Sequence, residues 1–235
     1  MNPEEISFTT TAMCRPDILN TTLKSFNKGL LGLKLKEVVL YLNIDPLPKE
    51  EGIDIDKYKK RTIEVAQKYF KEVVYRTPEK ANFTSAVQWT WQQAQTPYIF
   101  HLEDDWILKK QANMDDIIRP LSKSKKMVQV VLRAYKFDYT DMNKICLSPS
   151  IISERLYKKV RDSFDLNINP EVQLRQVNKK MGTVNWENIK VVAYPYKEVR
   201  IIVKDIGRKW IGQQNYAKPK TKSNFTSWIE KEKKE

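Results

Sequence analysis

The sequence predicts an α/β fold with one mostly parallel central sheet flanked by helices. Two observations carry this. Short β-rich apolar runs alternate with helically spaced ones, strand–helix–strand–helix–strand, through about the first 108 residues. Several of those runs end in polar or acidic residues, and in parallel sheets the carboxyl ends of strands are where ligands bind.

Ile6–Thr11 is the first strand, rich in β-branched residues. Pro16 opens a helix, where its missing N–H costs nothing, and Ile18, Leu19, Thr22, Leu23 and Phe26 recur at helical spacing before Gly29 and Gly32. Glu37–Asp45 is a second, buried strand stopped by Pro46 and Pro48. A charged linker leads to a helix around Tyr58–Phe70 and a short strand at Val73–Arg76. Asn82 or Thr84 caps the next helix, with Phe83, Val87, Trp91 and Ala94 on one face. The strand from Tyr98 follows.

The second half is less regular. Met127–Leu132 is a strand; Ile151, Ile152, Leu156 and Val160 follow a helical pattern after Ser148-Pro149-Ser150. Asn169-Pro170-Glu171 opens a helix containing Val172, Leu174 and Val177, and Val199–Val203 is a late strand. The expected division is a single domain over 1–217, with halves of about 1–108 and about 109–217. A loose basic tail over 218–235 completes it.

Composition narrows the partners. Lys and Arg number 42 against 29 Asp and Glu, a net charge of +13, which favours an anionic partner. Scattered solvated lysines are the plain alternative. Two cysteines and a single histidine, His101, exclude a zinc site of the usual kind and a disulfide framework. No signal pattern and no run of 18 apolar residues occurs, so the expected location is cytoplasmic, peripheral to a membrane at most.

The most informative stretch is Tyr98–Trp106, where an apolar strand runs into Glu103-Asp104-Asp105. Three carboxylates at one strand tip repel each other, and a hard divalent cation relieves that repulsion. Mg²⁺ keeps few protein carboxylates and takes further ligands from substrate phosphates, which points to a nucleotide.

The order and spacing of Thr9–Pro16, Asp45, Asn82–Trp91, Glu103-Asp104-Asp105-Trp106 and Asp205-Ile206-Gly207-Arg208 resembles the nucleotide-sugar-dependent glycosyltransferases of the GT-A fold. The acidic motif stands here as Glu-Asp-Asp, a variant of Asp-x-Asp. The resemblance implies Mn²⁺ or Mg²⁺ as cofactor, with Asp105 its direct ligand. Asp104 would share the metal site, and Asp104 and Glu103 would reach its waters, the ribose or the donor sugar. It implies that Asp45 contacts the base, that Thr9, Thr11 and Arg15 wrap the nucleoside, and that Lys80 and Asn82 approach base and ribose. Arg208 and Lys209 would close over the diphosphate.

Inverting transfer needs a carboxylate to deprotonate the acceptor. Glu171 is the candidate, although an acid in a first helical turn also steadies the helix dipole without catalysis. Asp162, Asp165 and Glu154 stand behind it.

The implied partners are a UDP- or GDP-linked sugar donor and a glycan or lipid-linked acceptor. Lys218, Lys220, Lys222, Lys231, Lys233 and Lys234 would add attraction to an anionic membrane. Two other readings compete. A nucleotidyltransferase of related fold would carry a glycine-rich loop after strand one, and Thr9–Pro16 has no glycine. A non-catalytic basic nucleic-acid-binding protein would fit the charge, but no binding motif is present, and no nucleic acid is expected as partner.

Overall fold

A computed structural model of the chain describes residues 1–46, 54–133, 145–176, 189–196, 200–207, 216–217 and 229–230. The strands are β1 Ile6–Met13, β2 Leu30–Leu31, β3 Val39–Asp45, β4 Glu72–Arg76, β5 Tyr98–Glu103, β6 Trp106–Leu108, β7 Ala112–Asn113, β8 Met127–Leu132, β9 Ser150–Ser153, β10 Lys190–Tyr194, β11 Val203–Asp205, β12 Tyr216–Ala217 and β13 Ile229–Glu230. The helices are α1 Pro16–Gly29, α2 Ile55–Tyr69, α3 Phe83–Gln93, α4 Met114–Lys123, α5 Glu154–Val160 and α6 Pro170–Gln176.

Seven strands form the central sheet in the order β10-β8-β9-β5-β1-β3-β4. All pairs are parallel except those made by β9, which runs antiparallel to both β5 and β8. The tips of β1, β3, β5 and β8 therefore share one edge of the sheet.

Side chains alternate between two cores, as strand geometry requires. Phe8, Leu40, Leu42, Phe100, Leu102 and Ile151 pack on one face with α1, α2 and α4. Ile99, Val131 and Ile152 pack on the other with α3, α5 and α6. Phe8 stacks on Phe100 at 4.6 Å between centroids, and Phe26 meets Phe100 edge-on at 5.7 Å.

Local chemistry fixes the helix starts nearest the site. Asn82 is the cap of α3, its side chain accepting from Ser85 N–H at 2.8 Å. Pro16 sits at the first position of α1, and the preceding Arg15 makes no side-chain cap bond. A guanidinium has no acceptor to offer a helix N-terminus. Its donors go elsewhere, as described below.

Three expectations need correction. Ile151 and Ile152 belong to strand β9, not to a helix; α5 begins only at Glu154. Adjacent β-branched residues that are both fully buried, one in each core, fit a central strand. The late strand is β11 and starts at Val203; it pairs antiparallel with β6, outside the central sheet. Within the 218–235 segment, Ile229–Glu230 pairs antiparallel with Tyr216–Ala217, so that part is not loose; the six tail lysines named above lie outside the described residues.

Candidate functional site

Asp104 is the hinge of the acidic triplet. Its N–H donates to Thr11 O at 3.1 Å, extending the β1–β5 ladder by one step, and Thr22 Oγ1 donates to its carbonyl at 2.6 Å. Arg15 Nε and Met13 N–H each reach carboxylate Oδ2 at 3.1 Å, and Arg15 Nη2 donates to Oδ1. The two side chains are only 3% and 4% exposed, so this is a buried, bidentate ion pair. Burial alone would weaken the guanidinium, yet Asp104 and Asp105 together hold its pKa above the ordinary value.

Both oxygens of Asp104 are thus occupied from within the fold. Asp104, expected to share a metal ion, is held by Arg15 through both oxygens, while Asp105 has a single contact from it. Arg15, expected to wrap a nucleoside, is buried and braces the triplet through Asp104 and Asp105.

Asp105 is placed differently. Its side chain keeps 19% exposure and receives one contact from Arg15 Nη2, at 3.3 Å. Burial, then the charge of Asp104, raise its carboxyl pKa to about 6; Arg15 opposes the shift and Asp205 adds to it. Two carboxylates therefore share one guanidinium, and a third, Asp205, adds its charge at Asp105. The cluster keeps net negative charge and hard oxygen donors, which suits Mg²⁺ or Mn²⁺. Among the described residues no three His, Cys, Asp or Glu side chains are arranged to hold a metal by themselves. A cation bound at Asp105 would complete its shell from other oxygens, as Mg²⁺ does with phosphates.

The chain returns to this point after β11. Ile206 N–H donates to Asp105 O at 2.8 Å, and Gly207 N–H donates to Asp205 Oδ1 at 2.9 Å. A Cβ on Gly207 would fall 1.9 Å from Asp105 Oδ2, so only glycine leaves the carboxylate room. Glu103, half-buried, accepts from Trp106 Nε1 at 3.0 Å across the turn into β6.

Asp45 ends β3, beside β1, and is 8% exposed. Asn43 Nδ2 donates to its Oδ1 at 2.8 Å. Burial raises its pKa to about 6; the Asn43 amide, Arg76 and the backbone N–H of Asn82 resist the shift, and Asp104 adds to it. Asp45, Asn82 and the acidic triplet thus meet at one edge of the sheet, as the sequence order requires.

The other expected residues divide. Thr11 lies at the tip of β1, opposite Glu103. Lys80 is exposed in the turn before α3. Thr9 is mid-strand and fully buried, its hydroxyl 3.1 Å from His101 Nδ1, which also receives Trp91 Nε1 at 3.3 Å. Thr9 belongs to the core, and burial pushes the His101 pKa down to about 3, so that ring is neutral. Glu171 is in the first turn of α6 and accepts from Leu147 N–H at 3.3 Å. Arg208 and Lys209 lie outside the described residues.

Two residues escaped the sequence reading. Asn43 shares a strand face with Asp45 two positions on, a period-two signal that was available. Arg76 closes the last parallel strand on the open side of β3. Asp205, named from the sequence only as the start of the late Asp-Ile-Gly-Arg stretch, is brought to the cluster by the β6–β11 pairing.

With this geometry in view, comparison with solved structures decides the fold. A mannosyltransferase from Pyrobaculum calidifontis, solved with GDP-Man and Mn²⁺, matches with TM-score 0.57 at 7% identity, covering 86% of this chain and 56% of that one. TarS from S. aureus (residues 1–349) matches with TM-score 0.53 at 10% identity, covering 85% and 60%. The fold is GT-A. The chain spans little more than half the length of these two structures. A cytidylyltransferase from Leptospira borgpetersenii gives TM-score 0.49 at 13% identity over 84% of this chain and 78% of that one, too low a likeness to argue from. No family model and no curated protein matches the sequence.

Proposed function

We propose that this protein is a metal-dependent glycosyltransferase that moves a sugar from a UDP- or GDP-linked donor to a glycan or lipid-linked acceptor. The observation that carries the reading is the pair Asp45 and Asp105. These are two mostly buried carboxylates with raised pKa values, at the ends of the two strands that flank β1 in a GT-A sheet. Asp105 has one 3.3 Å contact from Arg15 and Asp45 one side-chain bond from Asn43, and both stand where such sheets take ligands. The mannosyltransferase with GDP-Man and Mn²⁺ supports the same donor and cofactor class.

In this reading Asp105 holds Mn²⁺ or Mg²⁺ and Asp45 contacts the base. When bound, the cation supplies Lewis-acid neutralisation of the departing diphosphate. Arg15 and Asp104 keep the strand tip rigid, so the geometry around Asp105 is set before any ligand arrives. Thr11, Lys80 and Asn82 border the nucleoside, Glu103 the ribose or donor sugar, and Arg208 with Lys209 the diphosphate.

The transfer inverts the anomeric centre. The acceptor hydroxyl attacks the anomeric carbon, Glu171 takes its proton, and the bond to the nucleoside diphosphate breaks with both electrons leaving on phosphate oxygen. The domain covers 1–217. The 218–235 segment adds peripheral attraction to an anionic membrane. Among the described residues no helix is long and apolar enough to cross one.

A panel of sugar nucleotides, assayed for Mn²⁺-dependent donor hydrolysis with wild type and Asp105→Ala, tests the reading. Hydrolysis of one donor by wild type alone is the expected result. Equal turnover in Asp105→Ala would remove Asp105 from the site, and inertness toward every donor would count against the activity itself.

A further inference from the structure

We infer that Arg76 is a positioning residue for Asp45, acting through Asn43, and so determines how the site grips the nucleobase. This rests on the reading of Asp45 as the base contact.

The three residues form a relay across two strands. Asn43 and Arg76 are direct partners in the β3–β4 ladder. Arg76 Nε donates to Asn43 Oδ1 at 2.6 Å, and Asn43 Nδ2 donates to Asp45 Oδ1 at 2.8 Å. Arg76 is itself fixed by the first turns of α3. Its Nη2 reaches Ser85 O at 2.5 Å and Ser85 Oγ at 2.9 Å, and its guanidinium carbon lies 5.1 Å from the centre of the Trp89 ring.

The chemistry gives the relay a direction. The two ends of an Asn amide have nearly the same shape, so neighbours decide which way it faces. Asn43 is fully buried, so its protein neighbours decide. Arginine only donates, so it claims Oδ1 and turns Nδ2 toward Asp45. With the amide reversed, a carbonyl oxygen would face the carboxylate, and Asp45 would have to take up a proton to remain bonded. Arg76 therefore keeps Asp45 an acceptor toward the ligand, with the Asn43 amide and the Asn82 N–H holding it from within. The occupant at the tip of β3 must offer a donor, and a base with a ring N–H supplies one.

The alternative is a purely architectural Arg76 that ties β4 to α3. A double-mutant cycle separates the two. The probes are UDP, GDP and inorganic pyrophosphate, measured by calorimetry with Mn²⁺ present, on wild type, Arg76→Met, Asp45→Ala and the double variant. Arg76→Met is expected to weaken the tighter nucleotide about tenfold, the worth of one well-placed hydrogen bond. Pyrophosphate affinity should stay unchanged, and the loss should shrink to less than about twofold when Asp45 is already absent. An equal loss in the Asp45→Ala background, or an equal loss for pyrophosphate, overturns the relay. Asn43→Leu severs it while leaving Arg76 on Ser85 and Trp89. It should reproduce the nucleotide loss even if Arg76→Met folds poorly, and wild-type affinity in Asn43→Leu overturns the inference. A different pattern marks failure of the underlying reading: Asp45→Ala binds as well as wild type, or wild type binds no nucleotide more tightly than pyrophosphate. The relay then falls with it.

Discussion

Asp105→Asn should make the apo protein more stable, and only at neutral to alkaline pH. The folded-state pKa of about 6 stands above the ordinary 3.8. Folding therefore favours the protonated form. The associated stability is fully present below pH 3.8 and is lost as pH rises through about 6. A shift of that size corresponds to roughly 3 kcal/mol of destabilisation at pH 8. Asn is close in size, carries no charge, and gives up one 3.3 Å contact from Arg15. We expect a net gain of about 1–3 kcal/mol at pH 8 and close to none at pH 4. Urea denaturation at both pH values, in EDTA, reads this as a shift in midpoint with unchanged slope. Mn²⁺ should then stabilise wild type and leave Asp105→Asn unmoved. Equal effects at the two pH values, or a variant less stable at pH 8, would refute the view that Asp105 is held under electrostatic stress.

The neighbouring carboxylate should behave oppositely: Asp104→Ala strands the buried guanidinium of Arg15 and should cost about 3–5 kcal/mol, seen in the same denaturation experiment. Asp45→Ala should weaken UDP or GDP binding in EDTA as much as in Mn²⁺; a loss confined to Mn²⁺ would put Asp45 among the phosphates. Glu171→Gln should leave donor and metal binding intact and slow single-turnover transfer by about 10²–10⁴-fold, whereas a helix-start role alone predicts near-normal transfer and a few tenths of a kcal/mol of lost stability. Deleting 218–235 should lower co-sedimentation with anionic vesicles at low salt and leave neutral vesicles unaffected; equal pelleting with both lipids would dispose of membrane attraction.

The first half of the fold was legible because each element advertises itself. Pro16 opens α1, Asn82 caps α3, and apolar runs lead into Asp45 and Glu103. The second half was not, for separate reasons. The Ile151–Ile152 pair is equally compatible with helix and strand, and only its insertion between β5 and β8 decides for strand. Helix α4 shows a cap at Asn113 and buried Met114, Ile117, Ile118 and Leu121 at helical spacing, but Pro120 inside it reads as a breaker. At the site, the strand-tip positions of Asp45 and the triplet followed from the pattern. The tight hold of Arg15 on Asp104 and its single contact with Asp105 did not, because they depend on which oxygens Arg15 reaches. Thr9 misled because a β-branched polar residue near a strand tip reads the same whether its hydroxyl meets a ligand or a buried imidazole.

The approach of Gly207 to Asp105 has a consequence for biosynthesis. The carboxylate leaves the ribosome roughly 100 residues ahead of the glycine that shelters it, a delay of about 5 to 20 seconds at usual elongation rates. During that interval the edge of β6 awaits β11, and the acidic tip stands uncovered. A nascent chain stalled before residue 203 would carry every strand of the central sheet and still present an open, strongly anionic mouth. Among the described residues, the last part of the site to be translated is the turn at Ile206 and Gly207 that covers Asp105.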